Sequence, residues 1–229
     1  MIKDPPVLTI RRNFPRPAAA DITAFANIPT GYVVDALGGR GALDYRIKPQ
    51  VPLKAIMVGV AVTCDCGPAD NLALFGALEV ARAGDVLVAA TDGFTATALV
   101  GDLFMGMARN RGIKGLVTDG LARDLPGILD VGLPIYCAGI TPNSPARNGP
   151  GTVGLPVVLG GVTVESGDII VGDLDGVVVV RQNEAAAVIE KLAEVRTAEA
   201  ALEAKVKGGL EVPDFIKAVL ASGRVAEIG

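Results

Sequence analysis

The chain has 229 residues, half of them apolar, and 21 Lys and Arg against 25 Asp and Glu give a net charge of -4. That length suits one large domain or two small ones with ample material for a buried core, and the scattered basic residues leave no nucleic-acid footprint. No apolar run reaches the length of a membrane span and the opening MIKDPPVLTIRRNFPRP lacks the apolar core of a signal peptide, so a cytoplasmic protein without a membrane partner is expected.

The chain contains no histidine. This removes Ser-His-Asp and Cys-His nucleophile systems, histidine zinc ligands and phosphohistidine carriers. Chemistry then falls to carboxylates, Arg, Lys, backbone amides or a bound metal, and oxygen ligands suit magnesium first and manganese next. Three cysteines, Cys64, Cys66 and Cys137, argue against a disulfide framework.

In chain order, residues 1–17 are rich in Pro and Arg and read as an extended arm, either loose or packed on a neighbouring subunit. Pro17 opens a helical stretch ending near Ile28, and Thr30 is placed to cap a second helix, GYVVDAL. Gly38-Gly39-Arg40-Gly41 follows a helix rather than a strand and lacks the GxGxxG spacing, so it is not a nucleotide loop. Ile56 to Cys66 reads as a strand, in which Gly59 permits a bend or a close backbone approach. Cys64 and Cys66 fall on the same side of it, as small buried residues rather than an incomplete metal set. Pro68-Ala69-Asp70 caps a helix with Leu72, Phe75 and Leu78 on one face.

The stretch from Gly84 to Asp124 organises the rest. Val86 to Ala90 is a short apolar run, Thr91-Asp92-Gly93 breaks it, and a helix starting near Gly101-Asp102 runs to about Arg111. A second run, Gly115 to Thr118, precedes Asp119-Gly120 and Arg123-Asp124. Strand, helix and strand in that order imply parallel strands whose loops open on one sheet edge, so Asp92, Asp102, Arg123 and Asp124 can converge. Pro134 to Ala138 is a further strand. The loop GITPNSPARNGPGTVG, which holds Arg147, is long enough to serve a site. Leu155 to Val180 reads as a meander, with Asp173 and Asp175 serving its turns. Asn183 to Lys207 is an Ala/Glu/Lys-rich helix, and a short helix spans about Asp214 to Ala221.

GDVLV, GDLFMGMARNRGIKGLVTDG and ARD, together with TGYVVDALG, VAVTCDCGPADN and PVVLGGVTVESGDIIVGDLDGVVVV, resemble the RraA-like family, which holds class II aldolases of 4-hydroxy-4-methyl-2-oxoglutarate and 4-carboxy-4-hydroxy-2-oxoadipate. Twenty residues separate Asp102 from Arg123-Asp124, the spacing that marks those aldolases. The resemblance implies an α/β chain with a single compact layered α/β/β domain of the swivelling type. Residues 1–17 would form an arm, 18–182 the domain, and 183–229 C-terminal helices packed on that domain or on a neighbouring subunit, in a homotrimer or homohexamer. It implies cleavage of a 4-hydroxy-2-oxo acid to pyruvate, or oxaloacetate decarboxylation. Asp124 would hold Mg2+ or Mn2+, or else cap the following turn DLPGIL, and Arg123 would stabilise the enolate. Gly101, Leu103 and Phe104 would receive the substrate carboxylate at a helix start, and Asn71 and Arg147 its distal groups. Asp102 either caps its helix or moves protons, and Glu199 from an adjacent subunit supports the proton relay or is simply solvated. Family aldolases carry histidine near position 75 and commonly leucine near 104, so Phe75 and Phe104 imply a smaller or less charged substrate. Other members of the family regulate a ribonuclease, the second activity that the resemblance implies.

Overall fold

The computed structural model describes residues 4–229. The arm contains β1 (Leu8–Ile10) and leads to α1 (Ala19–Ala24), α2 (Thr30–Ala36) and the two-residue β2 (Lys48–Pro49). The wound part follows: β3 (Met57–Asp65), α3 (Leu72–Val80), β4 (Asp85–Ala90), β5 (Ala98–Val100), α4 (Asp102–Asn110), β6 (Gly115–Thr118), β7 (Leu121–Ala122), α5 (Leu125–Val131), β8 (Ile135–Cys137) and β9 (Gly139–Ile140). A long loop then reaches β10 (Gly151–Val153), β11 (Val157–Leu159), β12 (Val162–Val164), β13 (Ile169–Gly172) and β14 (Val177–Val180), and α6 (Ala185–Lys207) and α7 (Asp214–Leu220) close the chain.

Parallel β3, β4, β6 and β8 form the centre of a nine-stranded sheet. Their apolar runs are buried on both faces, and the two-residue period of a strand sorts them into layers. Val62, Leu87, Leu116 and Ile135 face Leu74, Met105 and Ile128 of the helical layer. Ala61, Val86, Val88, Val117 and Tyr136 face Val157, Leu159 and Val164 of the β11–β12 hairpin. A third cluster packs Phe25, Val33 and Leu37 of the first two helical stretches, with Val188 and Leu192 of α6, on Ile169, Val171, Val178 and Val180. Each fully buried aliphatic side chain contributes about 1.5–3 kcal/mol, so α/β/β layering follows directly from the alternation. Gly59 serves close approach rather than a bend, since a Cβ there would lie 2.5 Å from the Gly84 carbonyl. Cys64 and Cys66 are buried with their sulfurs 3.9 Å apart; the neighbouring thiol and burial push Cys64 up and keep it neutral.

Several local expectations change. α1 is shorter than the stretch from Pro17 to Ile28. Thr30 is the first helical residue of α2 rather than its cap, and Asp173 caps it from 143 positions away, accepting from the Thr30 N–H and hydroxyl at 2.8 Å each. Asp173 also accepts from the Asp175 N–H, so the expected turn chemistry is present as well. On α3 the deep face is Ala73, Leu74 and Ala77, because small residues let the helix lie close to the sheet, while Leu72, Phe75 and Leu78 are only half-buried.

Three very short strands were not evident from the chain. β5, β7 and β9 form a second, parallel sheet, with Ala98 paired to Leu121 and Leu121 to Gly139. β7 and β9 follow closely on β6 and β8, and β5 follows β4 after the loop through Thr91 and Thr97. The ladder continues as Arg123 N–H donates to Val100 O and Thr141 N–H to Ala122 O, both at 2.9 Å. This small sheet fixes side by side the starts of α4 and α5 and the loop after β9.

The arm is folded onto its own chain. β1 runs parallel to β10, and Arg16 makes a two-pronged ion pair with buried Asp85 at 2.7 and 2.8 Å. The first turns of α6 pack on the core, whereas the far half of the helix and α7 leave Leu202, Val206, Phe215 and Leu220 exposed. None of the described helices is long and apolar enough to cross a membrane.

Candidate active site

A cleft of about 400 Å³ lies where the small sheet delivers its three exits. The start of α4 contributes Gly101, Asp102, Leu103 and Phe104; the start of α5 contributes Arg123 and Asp124; Asn71 and Phe75 come from α3 and the residue before it; and the loop after β9 supplies Ser144 and Arg147. Eight of the nine site residues expected from the sequence therefore line one cavity. Glu199 does not: it stands on the outer half of α6 and is absent from the lining of this cleft.

Asp124 occupies the N-cap position of α5, but its backbone is left-handed (φ 57°, ψ 42°) and its side chain makes no capping bond. The carboxylate turns instead to Arg123, with Oδ2 3.1 Å from Nε. It also lies against Gly101, where any Cβ would collide with it. Asparagine and aspartate tolerate this backbone region better than most residues, yet it is seldom occupied without a local reason. The reason here is the direction given to the carboxylate. Arg123 is held from its other end by the Ser144 hydroxyl, which accepts a hydrogen bond from its guanidinium.

Asp102 behaves differently. Its Oδ1 accepts from the Leu103 N–H at 2.7 Å, while its Oδ2 rests where a Cβ on Gly127 would sit. The Leu103 N–H expected to receive a substrate carboxylate is thus already engaged, and Phe104 is the next helix-start amide without an intrahelical acceptor.

The distal wall is an aromatic and amide relay. Asn71, 6 % exposed, donates from Nδ2 to Leu99 O at 3.0 Å and accepts from Arg147 Nε at 3.2 Å. The Arg147 guanidinium lies over the Phe75 ring at 4.2 Å, and Phe75 meets Phe104 edge to face at 5.1 Å. Asp70 holds this loop in place: it accepts from the N–H groups of Leu72 at 2.8 Å, Gly149 at 3.1 Å and Asn148. Burial alone raises its carboxyl, but those N–H groups and the Arg147 charge outweigh burial and hold Asp70 below the usual carboxylate range.

Among the described residues no three His, Cys, Asp or Glu side chains come together. The cleft offers two carboxylates, one of them free of capping duty. Such a donor set fits a hard cation that keeps most of its own water, magnesium or manganese, and does not fit a zinc cage. Sequence reasoning missed Ser144, whose only signal was the length and composition of its loop; Phe75 was tied to the substrate through the family resemblance, not through its spacing.

Residues 30–179 match the model of the RraA-like family, described as Aldolase/RraA. The chain is 39% identical over 170 residues, covering 74% of it and 80% of the relative, to a Halalkalibacterium halodurans protein that bears the provisional name 4-hydroxy-4-methyl-2-oxoglutarate aldolase. Among solved structures, an uncharacterised protein of Pseudomonas syringae pv. tomato superposes with a TM-score of 0.75 at 28% identity, covering 86% of this chain and 96% of that one. RraAS2 of Streptomyces coelicolor, described as an unusual member of the RNase ES inhibitor RraA family, gives 0.71 at 27% identity, covering 83% and 100%.

Proposed function

The chain belongs to the Aldolase/RraA family, and from that premise we propose that it is a divalent-metal-dependent lyase releasing pyruvate from a 4-hydroxy-2-oxo acid, with oxaloacetate decarboxylation as a second use of the same site. The observation that carries this reading is the Asp124 carboxylate, which stands at a helix start, caps nothing, and faces Arg123 inside the cleft.

Asp124 would hold magnesium or manganese, with Asp102 available to hydrogen-bond its waters, and the bound ion would supply Lewis acidity toward the 2-oxo acid. In the cleavage the C4 hydroxyl loses its proton, the C3–C4 bond breaks, and its electron pair leaves negative charge on the C2 oxygen. Arg123, pinned by Asp124 and Ser144, stabilises that charge with a guanidinium already oriented. Asp102 is the nearby carboxylate able to move the hydroxyl proton, and water then protonates C3 to give pyruvate. Asn71 and Arg147 take the distal carboxylate. Glu199 enters only if α6 of one subunit reaches the cleft of another. The exposed apolar residues of its outer half and of α7 support such an assembly, a trimer or a hexamer.

The test is pyruvate release, coupled to lactate dehydrogenase, from 4-hydroxy-4-methyl-2-oxoglutarate and from oxaloacetate, with magnesium or manganese and again with EDTA. Metal-dependent release that vanishes in Asp124→Ala supports the reading; no release from the folded, metal-loaded protein overturns it. The likeness to RraAS2 favours one other reading, a binding protein that regulates a ribonuclease. Inhibition of a ribonuclease by Asp124→Ala as strong as by the unaltered protein would support it.

A further inference from the structure

Resting on the pyruvate-releasing reading, we infer that the cleft selects 4-hydroxy-2-oxo acids whose C4 carries one carboxylate and one bulky apolar group, alkyl or aryl. Two independent features lead there. The first is charge. Four charged side chains line the cleft, and Arg123 is already paired with Asp124. Arg147 makes no ion pair among the described residues and is spread flat on Phe75, with its Nε committed to Asn71. The distal side thus offers one cation, enough for one carboxylate. A second carboxylate on C4 would face the apolar Phe75, Phe104 and Met107 and find no second unpaired cation in the cleft.

The second feature is shape. Phe75 and Met107 belong both to the cleft and to a separate groove of about 390 Å³ between α3 and α4. That groove is floored by Phe75, Leu78 and Met107, and on its rim Arg111 donates to the Glu79 carbonyl at 2.7 Å and stands 4.0 Å from the Glu79 carboxylate. Met107 is 41 % exposed, so an apolar surface lies open beside the wall that the cleft and the groove share. The reduced charge expected from the sequence is retained, but the reduced size is not: bulk has somewhere to go. Cleavage of such a substrate breaks the same C3–C4 bond, sends the hydroxyl proton to the site and releases pyruvate with a larger 2-oxo acid that bears the apolar group.

A series of 4-substituted 4-hydroxy-2-oxoglutarates tests this, with methyl, isobutyl, benzyl or carboxymethyl at C4. The kcat/KM for the isobutyl and benzyl compounds is expected to be at least threefold above methyl, and that for carboxymethyl at least tenfold below. Calorimetric titration with 4-benzyl- and 4-carboxymethyl-2-oxoglutarate, which lack the C4 hydroxyl and cannot be cleaved, should give the same order. Met107→Lys, at an exposed position, should invert it in both assays. A carboxymethyl compound that equals or exceeds the benzyl one, or an order that Met107→Lys leaves unmoved, overturns the inference while pyruvate release from the methyl compound keeps the parent reading standing. If no compound releases pyruvate the parent reading falls, and the binding order alone decides whether the subsite is real.

Discussion

Two aspartates stand at two adjacent helix starts, and the fold uses them in opposite ways. Asp102 opens α4 and spends one oxygen on the next backbone N–H. Asp124 precedes α5 in a left-handed conformation that takes its carboxylate off the helix and aims it at Arg123. Residue type and position in the element are nearly the same; the backbone angle separates a carboxylate that serves its own helix from one turned away from its helix toward Arg123. A glycine stands beside each of them, Gly127 for Asp102 and Gly101 for Asp124, so both positions are held by what the neighbour lacks.

Asp124→Gly should break the contrast most sharply. Pyruvate release is expected to fall by at least about 10³-fold. The unfolding free energy from urea titration should change by less than about 1 kcal/mol, because relief of the left-handed backbone offsets loss of a partly exposed ion pair. Gly101→Ala comes next: the new methyl pushes the Asp124 carboxylate aside, and a displacement of that size should cost about 10²-fold in kcat/KM at unchanged metal concentration. For Asp102 the two possible roles separate by substitution. Asp102→Asn keeps an acceptor for the Leu103 N–H and should lower kcat about tenfold at constant stability, whereas Asp102→Ala should also lose about 1 kcal/mol in thermal or urea unfolding.

The smallest effect concerns the loop rather than the helix starts. Asp70 has a depressed carboxyl in the folded chain, so its contribution is whole above the ordinary carboxyl value of about 3.9 and is lost as pH falls through the lower folded one. Asp70→Asn should therefore cost about 1 kcal/mol at pH 7, with the difference from the unaltered protein shrinking below pH 4 in urea titrations. The substitution should raise KM more than it lowers kcat, since the loop it frees carries Arg147.

Much of this was legible in the chain. Apolar runs gave β4, β6 and β8, the break residues gave the loops between them, and the strand-helix-strand order pointed to a shared edge for Asp102, Arg123 and Asp124, although Asp92, expected with them, does not line the cleft. The second sheet was not legible, because runs of two or three residues such as Leu121-Ala122 carry no period to detect. Nor was the capping of α2 by Asp173, a contact made by tertiary folding over 143 positions. Asp124 is the instructive case. Its letter admitted both a cap and a ligand, and the structure shows that its side chain makes no capping bond. Phe75 was legible only through the family resemblance, since half-buried aromatic residues look alike in sequence whether they line a core or a cleft wall.

The pairing of β1 with β10 has a consequence in time. Leu8–Ile10 leave the ribosome about 140 residues ahead of Gly151–Val153, their partner strand. At roughly 5–20 residues per second, the arm waits on the order of 7–30 s before it can dock. The Arg147 loop lies immediately before β10, so the cleft's distal wall and the arm are secured in the same late event. A nascent chain halted before that point would carry Asp102, Arg123 and Asp124 and yet have no finished site.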